Sequence, residues 1–296
     1  MPKDIVFEPS RNILSYEEIL RICRIAVKLG ITKFKITGGE PLVRPDCVGF
    51  ISKLKALPGV EQVTLTTNGV LLGDNLEALA AAGINGINIS LDTLNREKYQ
   101  KITGCSNFKP DDILALLRSC CDRGIHTKIN SVLLQDNIDD VAELAAIAET
   151  MPVDVRYIEL MPIGVGSSIA RINPDGIVLK LMERWPDLHP TNESLGNGPA
   201  HYYESAQLLG KLGFIDAVSH AFCSSCNRVR LTGTGQLKPC LCYDSTVDLR
   251  SLIRSGCTDD ELQTVMYNKI YSKPLAHCFS QRDNMTEYRI MSQIGG

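Results

Sequence analysis

The sequence predicts an α/β chain built on parallel strands, followed by a smaller α+β region. Three observations carry this expectation. Over residues 15–160, helical stretches alternate with short apolar strands through brief connections, which implies parallel strands with right-handed crossovers. Each strand runs into a polar or glycine-rich turn. After Gly164 the alternation stops, and a cysteine-rich stretch follows at 222–241.

Residues 1–14 read as irregular. Ser15-Tyr16-Glu17-Glu18 is a capping box, in which the Ser15 hydroxyl caps the Glu18 amide and Glu18 reaches back. Ile19, Ile22, Cys23, Ala26 and Leu29 follow at helical spacing, and Gly30 stops the helix. A strand over 33–36 leads into Thr37-Gly38-Gly39-Glu40-Pro41. Helices over 48–57, 75–82, 111–123 and 138–150 then alternate with strands over 62–65, 86–89, 126–133 and 154–160. Those strands end in Thr66-Thr67-Asn68-Gly69, in Ser90-Leu91-Asp92, and in Glu159 with Met161. The strand over 126–133 carries Lys128 and Asn130.

In parallel barrels the site lies at the C-terminal strand ends. One turn of this composition is ordinary turn chemistry, but four converging turns point to a site. Neither a Walker loop nor a G-x-G-x-x-G fingerprint after a strand is present. Gly166-Ser167-Ser168 reads as a linker, and sets a domain boundary between 1–165 and 166–296. Beyond it the pattern gives a helix over 175–185, a loop over 190–199, and strands over 201–205, 213–219 and 229–231. Helices over 249–254 and 259–271 complete the region.

The bulk chemistry narrows the function. The chain has 296 residues, 22% charged side chains, net charge −3 and a pI near 6.0. No sequence-wide basic character points to nucleic acid. No apolar run reaches the ~18 residues that span a bilayer, and no signal peptide opens the sequence. Nucleic acid and membrane are therefore not expected partners. The 11 cysteines, without a secretion signal, suggest a reduced cytoplasmic protein with a thiolate-bound centre rather than a disulfide framework.

Cys223, Cys226 and Cys240 form a C-x2-C-x13-C pattern. Three thiolates can hold a metal or an iron–sulfur cluster and leave one coordination position open. Cys242 or, less directly, His220 offers a fourth ligand, which would make a closed zinc site. Arg228 and Arg230 alternate along a strand and so share a side. Their planar donor forks suit a multiply charged anion. Cys23, Cys47, Cys105, Cys120, Cys121, Cys257 and Cys278 show no ligand spacing and read as core or surface thiols.

The segments Thr37-Gly38-Gly39-Glu40-Pro41-Leu42-Val43-Arg44, Thr66-Thr67-Asn68-Gly69 and Ser90-Leu91-Asp92 resemble the radical S-adenosylmethionine (SAM) enzymes. With Cys223-x2-Cys226-Asn227-Arg228-x-Arg230-Leu231-Thr232, Cys240-Leu241 and the terminal Ile294-Gly295-Gly296, the whole chain is similar to the GTP 3′,8-cyclases of molybdenum cofactor biosynthesis. The resemblance implies an incomplete parallel (β/α) barrel of radical SAM type, missing its first strand, plus the C-terminal α+β region carrying a cluster site. It implies conversion of GTP to 3′,8-cyclo-7,8-dihydroguanosine 5′-triphosphate through a SAM-derived radical.

By that resemblance Cys223, Cys226 and Cys240 hold a [4Fe-4S] cluster. Arg228, Arg230, Lys35, Thr66 and Lys128 contact GTP. Gly39, Ser90 and Met161 contact SAM. Gly295 and Gly296 reach into the site, and with Arg228 and Arg230 make up the implied catalytic group. Lys35 stands where the family often has arginine, so bidentate phosphate binding is lost there. A cyclic pyranopterin synthase is the implied downstream partner, and the resemblance admits a homodimer.

The family also holds a SAM-cleaving [4Fe-4S] cluster on a C-x3-C-x2-C loop whose last cysteine precedes Met-Pro. This sequence contains no C-x3-C-x2-C and opens at Met1-Pro2. It is expected to be a shortened form that begins just after that loop, and to cleave no SAM at this length. The alternatives are a non-catalytic binder of GTP and an iron–sulfur cluster, and a zinc protein closed by Cys242.

Overall fold

The computed structural model describes residues 8–191, 193, 195, 196 and 198–294. Met1, Pro2, Gly295 and Gly296 lie outside the described residues. Two compact units are present. One comprises Thr64–Met161 with Ser168–Phe222; the other comprises the residues up to Val63, Pro162–Ser167 and the chain from Cys223 onward. Among the described residues no helix is long and apolar enough to cross a membrane.

The strands among the described residues are, in chain order, β1 (Lys33–Ile36), β2 (Gln62–Thr67), β3 (Gly86–Ser90), β4 (Thr127–Val132), β5 (Asp154–Ile158), β6 (His189–Thr191), β7 (His201–Glu204), β8 (Leu212–Ile215), β9 (Arg230–Leu231), β10 (Gln236–Lys238) and β11 (Val247–Asp248). In the first unit, β2, β3, β4, β5 and β8 run parallel in that order. β7 and then β6 continue the sheet antiparallel, and the order stays open. Strands that the sequence placed in the second region thus extend the parallel sheet.

A parallel sheet usually buries apolar residues on both faces. This one does not. Leu65, Ile87, Ile89, Ile129, Val155, Tyr157, Leu212 and Phe214 are buried on one face. The helices Pro110–Asp122 and Ile147–Thr150 lie against β4 and β5. The alternate positions, which point to the other face, are Thr66, Asn88, Lys128, Asn130, Asp154 and Arg156. The register sets Thr66 beside Asn88, Asn88 beside Lys128, Lys128 beside Asp154, and Asn130 beside Arg156.

In the second unit the helix Tyr16–Lys28 starts on the expected capping box of Ser15 and Glu18. Its Ile22, Ile25 and Ala26 form a core with Leu14, Leu237, Leu249, Leu262 and Met266. Two ion pairs, Arg21–Asp259 at 2.7 Å and Arg254–Glu18 at 2.8 Å, tie the helix to the C-terminal helices. Lys33 and Lys35 are exposed along β1. β9, β10 and β11 form a small antiparallel sheet.

Buried charges lie on the polar face. Lys128 Nζ donates to Asp154 at 2.8 Å, to the Leu195 carbonyl at 2.8 Å and to the Tyr202 hydroxyl at 3.0 Å. His126 Nε2 lies 3.3 Å from Asp154. Burial alone would raise the Asp154 carboxyl, but the His126 and Lys128 contacts outweigh it and hold the group down at about 2. Because the folded value lies below the unfolded one, the resulting stability is complete above about pH 4 and is lost as pH falls toward 2. Asp154→Asn leaves Lys128 buried without its counter-charge, and is expected to cost roughly 3–5 kcal/mol. Urea unfolding at pH 7 checks the cost. The wild-type and variant stabilities should also converge on acidification, and a gap that persists at pH 2 would contradict this assignment.

Candidate functional site

The cysteine motif is built on a hairpin. A single 3-10 turn spans Cys223–Ser225, and the Cys226 amide donates to the Cys223 carbonyl at 3.1 Å. The chain then enters β9, turns, and returns in β10 with Leu237 opposite Leu231 and Lys238 opposite Arg230. Gly235 makes the turn at φ +89°, and an added Cβ would lie 2.5 Å from the Arg250 Cβ. Only glycine fits both the angle and the approach. Cys240 follows two residues past the end of that ladder, and its thiol interacts with those of Cys223 and Cys226. The 13 residues between Cys226 and Cys240 are thus an outward and return path that brings the third thiol back to the first two.

The surroundings of these thiols are cationic. Burial works against ionising Cys226, but the Arg228 backbone amide, the Arg228 charge and Lys273 outweigh it and hold its thiol below the usual value. Lys273 Nζ donates to the Cys226 sulfur at 3.2 Å, and Arg228 Nη2 approaches it at 3.6 Å. The His277 amide donates to the Cys223 sulfur at 3.3 Å. Cys240 is raised by burial, opposed by the Cys242 amide and the Lys273 charge; Cys223 and Cys226 add to the rise. Burial and the charge of Arg228 push Arg230 down to about 10, against the attraction of Cys226 and Cys240. Arg230 therefore remains a cation at neutral pH.

The donor set suits a cluster better than a single ion. Among the described residues no three His, Cys, Asp or Glu side chains stand close enough to hold one metal ion. A four-iron cluster needs its three thiolates spread around a cube, farther apart than the ligands of one ion. N–H donors aimed at the sulfurs are a usual feature of such sites. His277 Nε2 is also buried without a hydrogen-bond partner, a polar atom that a bound group would satisfy. Cys242 is turned away from this role. Residues 240–242 are not a strand, and the Cys242 sulfur is fully buried 3.1 Å from that of Cys278. His220 is engaged elsewhere, 3.2 Å from Asp216.

The second unit also holds Lys35, exposed on β1, and Gly39, in the turn that follows it. Thr66, Ser90, Lys128 and Met161 belong to the first unit. Ser90 is exposed at the end of β3, and Met161 is half-buried beyond β5. Thr66 accepts from Asn88 Nδ2 at 3.2 Å. Nearby, burial pushes the Asp92 carboxyl up to about 6, opposed by its hydrogen bond from the Val132 amide. Glu159, at another strand end, serves structure. It accepts from the Val218 and Ser219 amides at 2.8 Å and from the Ser219 hydroxyl at 2.6 Å.

Sequence reasoning missed Arg156 and Asn88. The Arg156 guanidinium donates to Asn88 Oδ1 at 2.7 Å and to Asn130 Oδ1 at 2.9 Å from Nε. Gly213 makes room for it, since a Cβ there would lie 2.9 Å from Arg156 Cγ and 2.7 Å from Tyr202 Cε1. The available signal was polar residues at every second position of buried parallel strands. His277 and Lys273, outside the motif in sequence, were missed as well.

Two family models match the chain. Residues 2–148 match the radical SAM superfamily, and residues 153–279 match the family described as Molybdenum Cofactor Synthesis C. The GTP 3′,8-cyclase of Clostridium perfringens (strain SM101 / Type A) is 37% identical over 96% of this chain and 88% of its own length. That of Heliobacterium modesticaldum is 39% identical over 97% of this chain and 88% of its length. Among solved structures, Streptococcus suis SuiB matches 88% of this chain with a TM-score of 0.60 at 16% identity, and this chain spans 60% of its length. At that identity the likeness shows the fold alone. The cysteine hairpin, the open parallel sheet and the extent of the match lead to one conclusion: the chain belongs to the GTP 3′,8-cyclase family of radical SAM enzymes.

Proposed function

We propose that this protein binds GTP beside a [4Fe-4S] cluster for 3′,8-cyclisation in molybdenum cofactor biosynthesis, with SAM as the radical source. The observation that carries the reading is the return of Cys240 to Cys223 and Cys226 with Arg228, Arg230 and Lys273 around them. Cys223, Cys226 and Cys240 are the proposed ligands. When bound, the cluster supplies an open iron site for the guanine.

Arg228 and Arg230 offer planar forks for an anionic substrate. Among the described residues Arg230 has no carboxylate ion pair; its opposite charges are the Cys226 and Cys240 thiolates. Lys35, Thr66 and Lys128 are the further proposed GTP contacts. Lys128 reaches a nucleotide by exchanging one of its three present partners. Gly39, Ser90 and Met161 are the proposed SAM contacts, and Gly295-Gly296 the proposed tail at the reacting centre. We place the protein in the cytoplasm, with a cyclic pyranopterin synthase taking its product. All 11 cysteines are free thiols, as a reducing compartment would keep them.

The residues present do not fit a second, SAM-cleaving cluster. The sequence has no C-x3-C-x2-C, and Cys23, Cys47 and Cys120 are buried. No step is therefore assigned to such a cluster. A second reading is binding of GTP and one cluster without radical chemistry.

Iron analysis after anaerobic purification separates the readings. About four irons per chain supports the single cluster, and about eight the two-cluster enzyme. Cys226→Ser should lower iron content and visible absorption; full retention of both would remove Cys226 from the ligand set. Arg228→Ala is expected to weaken GTP binding roughly tenfold or more at low salt, and less as salt rises, because the lost attraction is screened. Equilibrium dialysis at two ionic strengths measures this. A loss independent of salt would assign Arg228 to packing instead.

A further inference from the structure

We propose that Lys273 is a positioning residue that fixes the Cys226 sulfur and favours the reduced state of the cluster held by Cys223, Cys226 and Cys240. The inference rests on the cluster assignment above. Lys273 follows directly on the helix Asp259–Tyr271 and its C-cap Ser272, and its amide donates to the Ile270 carbonyl at 3.1 Å. Its Nζ donates to the Cys226 sulfur at 3.2 Å and to the Arg228 carbonyl at 2.5 Å. The ammonium thus bridges a ligand and the backbone of the arginine two residues on.

The segment that carries Lys273 is tied down along its length. The His277 amide donates to the Cys223 sulfur at 3.3 Å. The Cys278 amide donates to the Cys242 sulfur at 3.2 Å, and the Tyr243 hydroxyl donates to the Ala276 carbonyl at 3.2 Å. Residues 273–278 therefore hold donors against two of the three ligands, while their far end is fixed to Cys242, two residues past the third. A side chain held this way has lost its freedom before any ligand arrives, so its charge acts at a set distance.

The consequence is electrostatic. Reduction adds one negative charge to the cluster. A fixed cation and an N–H donor at a ligand sulfur stabilise the more negative state, which raises the reduction potential. Among the described residues no carboxylate pairs with Lys273, so its charge is directed at the thiolates.

The test uses the 296-residue protein reconstituted anaerobically with iron and sulfide. Its potential is measured by mediated dithionite titration followed by electron paramagnetic resonance. Lys273→Met should lower the potential, by ~59 mV for each tenfold loss in preference for the reduced one-electron state. Lys273→Arg should restore most of the shift. A cluster lost from Lys273→Met but retained in Lys273→Arg would also support the positioning role. An unchanged potential in a fully loaded Lys273→Met protein overturns the inference, as does cluster loss in both variants with the fold intact by circular dichroism. A wild-type protein that binds no cluster at these cysteines overturns the cluster assignment itself, an outcome distinct from the other two.

Discussion

The constraint on which the cysteine region depends is the register between β9 and β10. Lys238 opposite Arg230 fixes where the returning strand leaves the sheet, and Cys240 follows two residues later. A shift of one residue in that pairing would turn Leu237 and Lys238 to the opposite faces, because side chains alternate with a period of two. Packing enforces the register. Leu237 lies in the core with Leu249 and Leu262. Lys238 is fully buried against Glu287, which also accepts from Arg289 at 2.9 Å. One slip would expose Leu237 and strand the lysine away from its carboxylate. The thiol geometry is thus secured by residues that touch no sulfur.

A second constraint governs the parallel sheet. Its polar face carries ionic and amide groups that burial would penalise unless each finds a partner. Lys128 meets Asp154 and Tyr202, and Arg156 meets Asn88 and Asn130. These contacts are satisfied within the protein, so the face is organised by its own side chains.

Much of this was legible in the sequence. The helices at 249–254 and 259–271 and the strand at 33–36 were read to the residue. The two helices open on side-chain caps, Asp248 accepting from the Ser251 amide and Thr258 from the Glu261 amide. The helix Arg96–Thr103 was missed because Tyr99 is its one buried residue, and hydrophobic periodicity therefore had nothing to register. Its ends were still marked, by Asn95 accepting from the Glu97 and Lys98 amides and by Gly104 at φ +70°. The expected helix over 138–150 is instead a 3-10 turn and two short helices joined at Ala146. The site divides in the same way. Its ligands stand in one short motif, whereas Lys273 and His277 arrive from 33 or more residues beyond Cys240, and only folding brings them to the sulfurs.

The charge balance around the thiols shows why this arrangement favours a loaded site. Arg228 and Arg230 repel one another, and burial weakens the screening that water would provide. Lys273 adds a third positive charge close by. Ionised thiols would offset these charges, but thiolates crowded together repel in turn: Cys223 and Cys226 both oppose ionisation of Cys240. A metal centre relieves the second repulsion by drawing electron density from the sulfurs, and an anionic substrate relieves the first. Each ligand lowers the cost of the charges that the other needs. Under the proposed function the two therefore favour one another, because both act on the same half-buried set of opposed charges.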